Sequence, residues 1–294
     1  MAAIKQIKRL PKRLIRGFTL MEMILVIIIL GIMGAGISGF ISLSTQSYLN
    51  ATNRDELIGN ARFVIERLSR ELRNAVPNSI RVQSWAGGRA QCLQFTPIVA
   101  STVYTDIPVS PETPSKSLSV IPFEDNDGQP YQCDSATGCS NFITVYPLAS
   151  DDIYDDYTTN TGKIFRIDNV DTSTTPWKIN LLNIQDITFD EDSPTQRAYI
   201  TQEQVSYCNT YAFPDDVWTI SRFTDSITDG VQTYPGSRRF YMAGYLVPDV
   251  SGHLMFDYVP ATLKRNAVVQ IHLEFTKNDE NYVFDHEVHI NNVP

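Results

Sequence analysis

The sequence predicts an α+β fold, in which a long N-terminal helix packs against an antiparallel β-sheet head with long loops. Three observations support this prediction. No residue between Glu22 and Arg54 is charged, as expected of a helix in an apolar environment. Over residues 57–76 the apolar positions recur at steps of three and four, the period of an amphipathic helix. After Pro77 the pattern changes to short alternating runs broken by Pro, Gly, Asn and Asp, which is typical of strands and turns.

The first half of the predicted helix, residues 18–41, is apolar enough to span a membrane. A transmembrane helix needs about 20 consecutive apolar residues, and the run that starts at Met23 supplies them. Residues 1–17 carry six Lys or Arg and no acid. The positive-inside rule therefore places this leader in the cytoplasm and the rest of the chain across the membrane. We expect a single-pass membrane protein whose head is exported.

The second half of the predicted helix, residues 42–76, becomes amphipathic towards its C-terminal end. Because no Pro occurs between Pro11 and Pro77, we predict one helix over residues 18–76, about 90 Å long at 1.5 Å per residue. Three i,i+4 ion pairs are expected on its outer face, namely Arg62–Glu66, Glu66–Arg70 and Arg67–Glu71. The residues expected to pack on the head are Leu57, Ile58, Ala61, Val64, Ile65, Leu68, Leu72, Ala75 and Val76.

The head, residues 77–294, is predicted to be rich in β-structure, without an internal repeat or a second domain. Long acidic loops are expected at 100–140, 150–160 and 190–198. The last two strands should form a hairpin, with Val269, Ile271, Leu273 and Phe275 facing the core. The predicted strands are Gln91–Phe95, Phe142–Tyr146, Lys163–Ile167, Trp177–Leu182, Phe240–Val247, Leu254–Tyr258, Val268–Thr276 and Tyr282–Ile290.

Charge and motif content exclude several classes of function. Residues 77–294 contain 13 basic and 28 acidic residues, a net charge of −15, which argues against a nucleic-acid partner because such binding depends on cationic groups. The sequence has no GxSxG elbow, P-loop or GxGxxG motif. Its four histidines and many acids show no spacing that selects a catalytic pair. We therefore expect a protein that is not an enzyme.

The four cysteines all lie in the part that is expected to be exported, where disulfides form. Three connectivities are possible. The short Gly-containing loop between Cys133 and Cys139 favours that pair, and hence Cys92–Cys208.

Metal sites are not predicted. The cysteines have neither the CxxC spacing nor the suitably spaced His partners of a zinc site, so we expect no zinc. Calcium is not expected either: the stretch that starts at Asp125 has Ala136 where a calcium loop needs a bidentate acid, and the acids of 151–156 are interpreted as a solvated loop. No cofactor is therefore predicted.

The N-terminal segment carries a family resemblance. The sequence Gly17-Phe18-Thr19-Leu20-Met21-Glu22, between a basic leader and an apolar helix, resembles the signal of type IV prepilins. The resemblance implies that a prepilin peptidase/methyltransferase removes residues 1–17 and methylates the amine of Phe18. It also implies that Glu22, the fifth mature residue, acts in assembly. Two alternatives stay open: the segment is an uncleaved signal anchor, or Thr19 and Glu22 only form a helix-capping box.

A narrower resemblance rests on the tail His286–Pro294, the length and the Cys-containing loops, beside the stretch Ala61–Arg73, which is shared more widely with other minor pilins and J-like pseudopilins. Together these are similar to the large minor pilins of the mannose-sensitive haemagglutinin (MSHA) pilus, the MshO type. This implies a low-abundance subunit that initiates or caps an adhesive filament, and that moves from the inner membrane to the extracellular pilus. Its partners would be major and minor pilins and an inner-membrane assembly platform. Alternatives are a J-like pseudopilin of type II secretion, or a membrane-anchored periplasmic ligand-binding protein or enzyme.

Overall fold

The computed structural model describes residues 17–290 except 126, 184, 215, 228–229, 231, 233, 235, 249–253, 263–264 and 279. The predicted leader, apart from Gly17, lies outside the described residues. The chain divides into two compact units, Met1–Arg54 and Asp55–Pro294. Helix α1, Leu20–Arg73, contributes residues to both units. It starts two residues after the predicted start and ends three residues before the predicted end.

In the first unit, α1 is an apolar helix without a covered face. Every side chain from Gly17 to Thr52 is exposed, including the large apolar ones such as Ile29 and Phe40. The segment is long and apolar enough to cross a membrane, judged by length and composition. Apolar side chains that nothing in their own unit covers require a nonpolar environment from elsewhere.

In the second unit, α1 is amphipathic, as its spacing predicts. Leu57, Ala61, Val64, Leu68 and Leu72 are buried at 0–2% exposure. The three predicted i,i+4 pairs all fall within the described residues, and the structure forms only one of them. Glu71 accepts a hydrogen bond from Arg67 Nε at 2.9 Å. The other two predicted pairs, which share Glu66, are wrong, because exposed helix pairs gain at most about 0.5 kcal/mol and need not form.

Sixteen described strands follow the helix, and all eight predicted strands are among them within a few residues. In chain order they are β1 Arg81–Trp85, β2 Ala90–Phe95, β3 Ala100–Asp106, β4 Ser117–Val120, β5 Phe142–Val145, β6 Thr161–Gly162, β7 Ile164–Asp171, β8 Trp177–Leu181, β9 Thr188–Phe189, β10 Arg197–Thr201, β11 Glu203–Ala212, β12 Val217–Ser226, β13 Arg238–Leu246, β14 Phe256–Val259, β15 Ala267–Lys277 and β16 Glu280–Ile290.

The larger sheet is antiparallel, in the order β1-β2-β11-β12-β13-β15-β14, and β16 pairs with the other edge of β15. Its inner face packs on the buried stripe of α1 in one core that includes Leu68, Phe95, Tyr207 and Phe275. The Gln91 side chain joins β2 to β14: its Nε2 donates to the Phe256 carbonyl and its Oε1 accepts from the Phe256 N–H, both at 2.8 Å. This buried amide therefore replaces strand pairing at that junction.

Six further strands close into a barrel in the order β10-β3-β4-β8-β7-β5. The barrel has its own core, in which Phe165 and Phe189 meet edge-to-face with ring centroids 5.0 Å apart. A short parallel pair, β6 and β9, lies outside this path. The expected long loops at 100–140 and 190–198 are therefore wrong in part, since β3, β4 and the first residues of β10 lie within them. Residues 150–160 contain only turns and bends, as expected of a loop.

The sequence also failed to predict β11 and β12, two ten-residue strands in the middle of the larger sheet. Seven consecutive residues of β11, from Gln204 to Thr210, are buried, so the polar–apolar alternation of a one-sided sheet is absent. The outer face is covered in part by the segment after β12. There Gln232 Nε2 donates to the Cys92 carbonyl at 3.2 Å, and the Tyr234 hydroxyl donates to the Asn209 carbonyl at 2.8 Å.

Candidate functional site: the processing segment and the helix clamp

The peptide bond between Gly17 and Phe18 lies in an exposed, non-helical segment. Helix α1 begins only at Leu20, and Phe18 is 77% exposed. A peptide bond inside a helix would have to unwind before a peptidase could bind it, because its backbone groups are already hydrogen-bonded. The structure therefore leaves the predicted cleavage bond accessible, and the apolar helix follows it directly.

Thr19 caps the start of the helix, but the capping box is only half formed. The Glu22 N–H donates to Thr19 Oγ1 at 3.3 Å, and the Met23 N–H donates to the Thr19 carbonyl at 3.2 Å. Within the described residues, the Glu22 carboxylate makes neither a hydrogen bond nor an ion pair. The return bond of a capping box, from the Thr19 N–H to this carboxylate, is therefore missing. The acid at the start of the apolar helix is left available to a partner.

A second cluster, the helix clamp, joins the end of α1 to the sheet and consists of Arg67, Glu71 and Arg222. Arg222 Nε, on β12, donates to both carboxylate oxygens of Glu71 at 3.0 and 3.2 Å. The Glu71 and Arg222 side chains are only 19% and 12% exposed, and the hydrogen bond to Glu71 raises the pKa of Arg67. Sequence analysis missed Arg222, since its partner is 151 residues away and no local pattern marks it.

The buried Tyr207 ring lies beside this clamp. Burial raises the pKa of its hydroxyl above the usual value, and the neighbouring Glu71 charge raises it further. The hydroxyl therefore stays neutral at physiological pH, so Glu71 is the only negative charge of the cluster. The clamp is a structural connection, although Glu71 and Arg222 also line a small cavity of about 260 Å³ together with Asn74 and Glu203.

The four cysteines form two disulfides, Cys92–Cys208 and Cys133–Cys139, which is the pairing expected from the sequence. The first joins β2 to β11 at directly opposite positions, and both sulfurs are buried. The second closes a loop around the 3₁₀ turn Ser135–Thr137, in which Gly138 has a φ of 101°. Both covalent links therefore lie in the second unit.

Among the described residues, the acids and histidines do not converge on a metal site. Within the part of the chain that the structure describes, no three His, Cys, Asp or Glu form a group that could hold a metal ion. Asp125 Oδ1 accepts the N–H groups of Asp127 and Gln129, both at 2.9 Å, and so organises its own loop. His272 contacts Asp285 at 2.5 Å. His286 lies opposite Ile271, on the other face of the hairpin from His272, although both histidines belong to the lining of one shallow cavity.

One acid in the 150–160 loop forms a bridge to the barrel. Lys163 Nζ lies 3.3 Å from Asp152 and 3.1 Å from Glu191, and its side chain is 9% exposed. Burial lowers the pKa of this lysine, but the hydrogen bonds to the two carboxylates outweigh burial and leave the pKa raised. The lysine is therefore a charged structural link and not a nucleophile.

Comparison with known families bears on the N-terminal segment. Residues 12–38 match the family model described as the prokaryotic N-terminal methylation motif. No curated protein and no solved structure matches the chain significantly. The motif favours a structural subunit over an enzyme and implies processing by a prepilin peptidase and assembly with other pilins. Together with the apolar helix and the antiparallel head, this match supports a type IV pilin-like family, as a pilin or a pseudopilin subunit.

Proposed function

We propose that the protein is a minor type IV pilin that helps to initiate or cap an MSHA-like pilus used for attachment. The observation that carries the proposal is the methylation motif at residues 12–38. It coincides with an exposed, non-helical Gly17–Phe18 bond and with a helix whose apolar side chains are all exposed as far as Thr52. A structural subunit of a filament needs both features, namely a bond that a peptidase can reach and an exposed apolar helix that other subunits can cover. We call this part of α1, residues 20–52, the stalk.

Processing changes the charge of the N-terminus. Before cleavage, the six cationic residues of the leader hold the N-terminus on the cytoplasmic side. A prepilin peptidase/methyltransferase would hydrolyse the bond between Gly17 and Phe18, which removes all six cations and creates one new amine. The same enzyme would then methylate this amine. The remaining charges near the membrane are this amine and the Glu22 carboxylate. The mature helix can then leave the bilayer without transferring the leader across it.

Glu22 is the assembly residue in this proposal. A carboxylate near the centre of a membrane costs about 2.5–3.5 kcal/mol, and less near the interface. The half-formed capping box leaves the Glu22 carboxylate without a partner among the described residues of its own chain. An ion pair with the Phe18 amine of a neighbouring subunit would neutralise both charges in the apolar interior of a filament. Because that amine exists only after cleavage, processing would have to precede assembly.

The stalk can be covered by lipid first and by other stalks later. Gly31, Ala35 and Gly39 recur at every fourth position, which lets neighbouring helices approach closely. The inner membrane would hold the prepilin with its N-terminus in the cytoplasm. An inner-membrane assembly platform would then transfer it, with major and minor pilins, to the extracellular filament.

The MSHA assignment is supported by the overall length, the Cys-containing loops and the tail His286–Pro294. The stretch Ala61–Arg73 is similar to J-like pseudopilins of type II secretion as well, so the experiment must distinguish a pilus subunit from a secretion subunit. We suggest deleting the gene and complementing it with a tagged full-length chain. The pilin proposal predicts loss of surface pili and of attachment with normal protein secretion, and antibody label at filament tips. Normal pili with defective secretion would show that the chain is a pseudopilin.

A further inference from the structure

The outward face of α1 in the second unit carries an arginine stripe, which we define as Arg62, Arg70 and Arg73. The three residues share one helix face because they are separated by eight and three positions. All are exposed, and within the described residues none of them forms an ion pair. Phe63 lies beside them and is 50% exposed. Between Arg62 and Arg73, Glu66 is the one acid on this face, so this stretch carries a net charge of +2 around an exposed aromatic ring. The exposed Asp55, two turns before Arg62, adds one negative charge to the same face.

The outward face of the sheet carries the opposite charge. We define the acidic face as Asp257, Asp285 and Glu287 on β14 and β16. Asp257, Gln270 and Glu287 lie in one row across three strands, and Asp285 lies in the next row opposite His272. These residues alternate with buried core residues of the same strands, so they point away from the core. All three acids are exposed.

The acidic face surrounds a shallow cavity of about 360 Å³ that has an apolar wall. Leu254 lines the cavity and is 51% exposed. Among the described residues, no Lys or Arg lines it. The cavity therefore offers carboxylates at its margin and an apolar surface inside. This combination is complementary to Phe63 and the arginine stripe, in charge and in the exposed apolar side chain.

The two faces cannot meet within one chain. The buried stripe of α1 packs on the inner face of the sheet, so the arginine stripe points away from the sheet. The acidic face points away from the helix. We propose that the arginine stripe of one copy docks on the acidic face of a second copy, with Phe63 against Leu254. Such a contact joins two different surfaces, so it is heterologous. Each copy keeps one free surface, so the assembly can either grow by further copies or stop at two.

The inference deepens the proposed assembly role and rests on it, and site-specific crosslinking tests it in the full-length chain. Two differently tagged copies, one with Arg70→Cys and one with Glu287→Cys, are expressed together and treated with a bismaleimide on intact cells. We expect a crosslinked pair that contains both tags. The matched control replaces Arg70→Cys by Arg89→Cys, an exposed arginine outside the stripe, and should give at least tenfold less product.

Charge reversal then tests the chemistry of the contact. Adding Arg62→Glu and Arg73→Glu to the first copy should lower the crosslink yield at least tenfold. Adding Asp257→Arg and Asp285→Arg to the second copy should restore most of it. Glu66→Gln should raise the yield, since it removes the repulsive charge that lies between the arginines of the stripe. Because the contact is electrostatic, raising the salt concentration should also lower the yield.

The outcomes separate this inference from the proposed function. If the cysteine variants are cleaved and enter filaments but give no pair with both tags, or if charge reversal leaves the yield unchanged, the docking contact is wrong and the pilin proposal stands. If the wild-type chain is never cleaved or incorporated, the pilin proposal fails and this inference fails with it. A crosslink between Arg70→Cys and a different pilin, with none to the second copy, also overturns it.

Discussion

The two halves of α1 differ in what covers their apolar side chains. In the second half, the head covers the apolar stripe, and the small side chain of Ala61, at 0% exposure, lets helix and sheet approach closely. In the first half, residues such as Ile29 and Phe40 have no cover within their unit. The difference shows that the second half is covered by its own chain, whereas the first half is not; in the proposed function, lipid or other subunits cover it.

The largest expected effect comes from removing the only acid of the first half. Glu22→Ala should be exported and cleaved but should fail to enter filaments, because the Phe18 amine of the neighbour then stays unpaired in an apolar interior. Immunoblots of sheared pili and membranes measure incorporation. Thr19→Ala is the matched control, since it removes only the cap, costs about 1 kcal/mol of helix stability and should assemble. If Glu22→Ala assembles like wild type, the intermolecular role is wrong.

The second prediction compares one apolar truncation in each half. Leu68→Ala removes a fully buried side chain and should lower the free energy of unfolding of the head by about 2–5 kcal/mol. Ile29→Ala, at an exposed position, should change it by less than about 0.5 kcal/mol. Denaturant unfolding of the full chain in detergent measures both. Equal effects would mean that the two halves are not covered differently.

The helix clamp should have an intermediate effect. Arg222→Gln removes the bidentate partner of Glu71 and should cost about 1–3 kcal/mol, because a largely buried carboxylate loses its charge-assisted hydrogen bonds. Arg62→Gln, on the exposed face of the same helix, should stay within about 0.5 kcal/mol of wild type. Thermal or denaturant unfolding compares the two variants. A clamp variant as stable as Arg62→Gln would show that packing alone holds the helix on the sheet.

The smallest effect is an alkaline loss of stability in the second unit. Burial raises the pKa of Tyr154 from 10.0 to about 12, and its hydroxyl donates to the Ser79 carbonyl at 2.9 Å. The unfolded state therefore ionises first, so this contribution is present below pH 10 and is lost as the pH rises towards 12. Tyr154→Phe should unfold with a weaker pH dependence between pH 10 and 12. An unchanged pH dependence in that interval would contradict the assigned pKa.

The sequence predicts most of the elements in which apolar residues recur at a regular spacing. The second half of the helix and the hairpin of β15 and β16 follow from apolar spacing, because each has a covered face. The hairpin shows this most clearly: Val269, Ile271, Leu273 and Phe275 are all at 0–1% exposure. Six further strands are predicted from short apolar runs bounded by turn residues, and two of them, β2 and β5, are buried along their whole length. The short loop between Cys133 and Cys139 favours one of three possible connectivities, and the structure contains both disulfides of that one.

The remaining features depend on contacts that are distant in sequence. The barrel strands β3 and β4 are short and polar on their outer side, and they gain stability only when the ring of pairing closes. β11 lacks alternation because both of its faces are covered. The Glu71–Arg222 and Gln91–Phe256 contacts join residues more than 150 positions apart. None of these features leaves a local pattern that could be read from one sequence.

The state of the N-terminus tests the central claim most directly. Assembly as a pilin requires cleavage between Gly17 and Phe18, which removes 17 of the 294 residues and leaves a chain of 277. Intact mass spectrometry of the protein from purified filaments should find this chain, two disulfides and one added methyl group on the Phe18 amine. A protein that is present in filaments with residues 1–17 still attached would contradict the account.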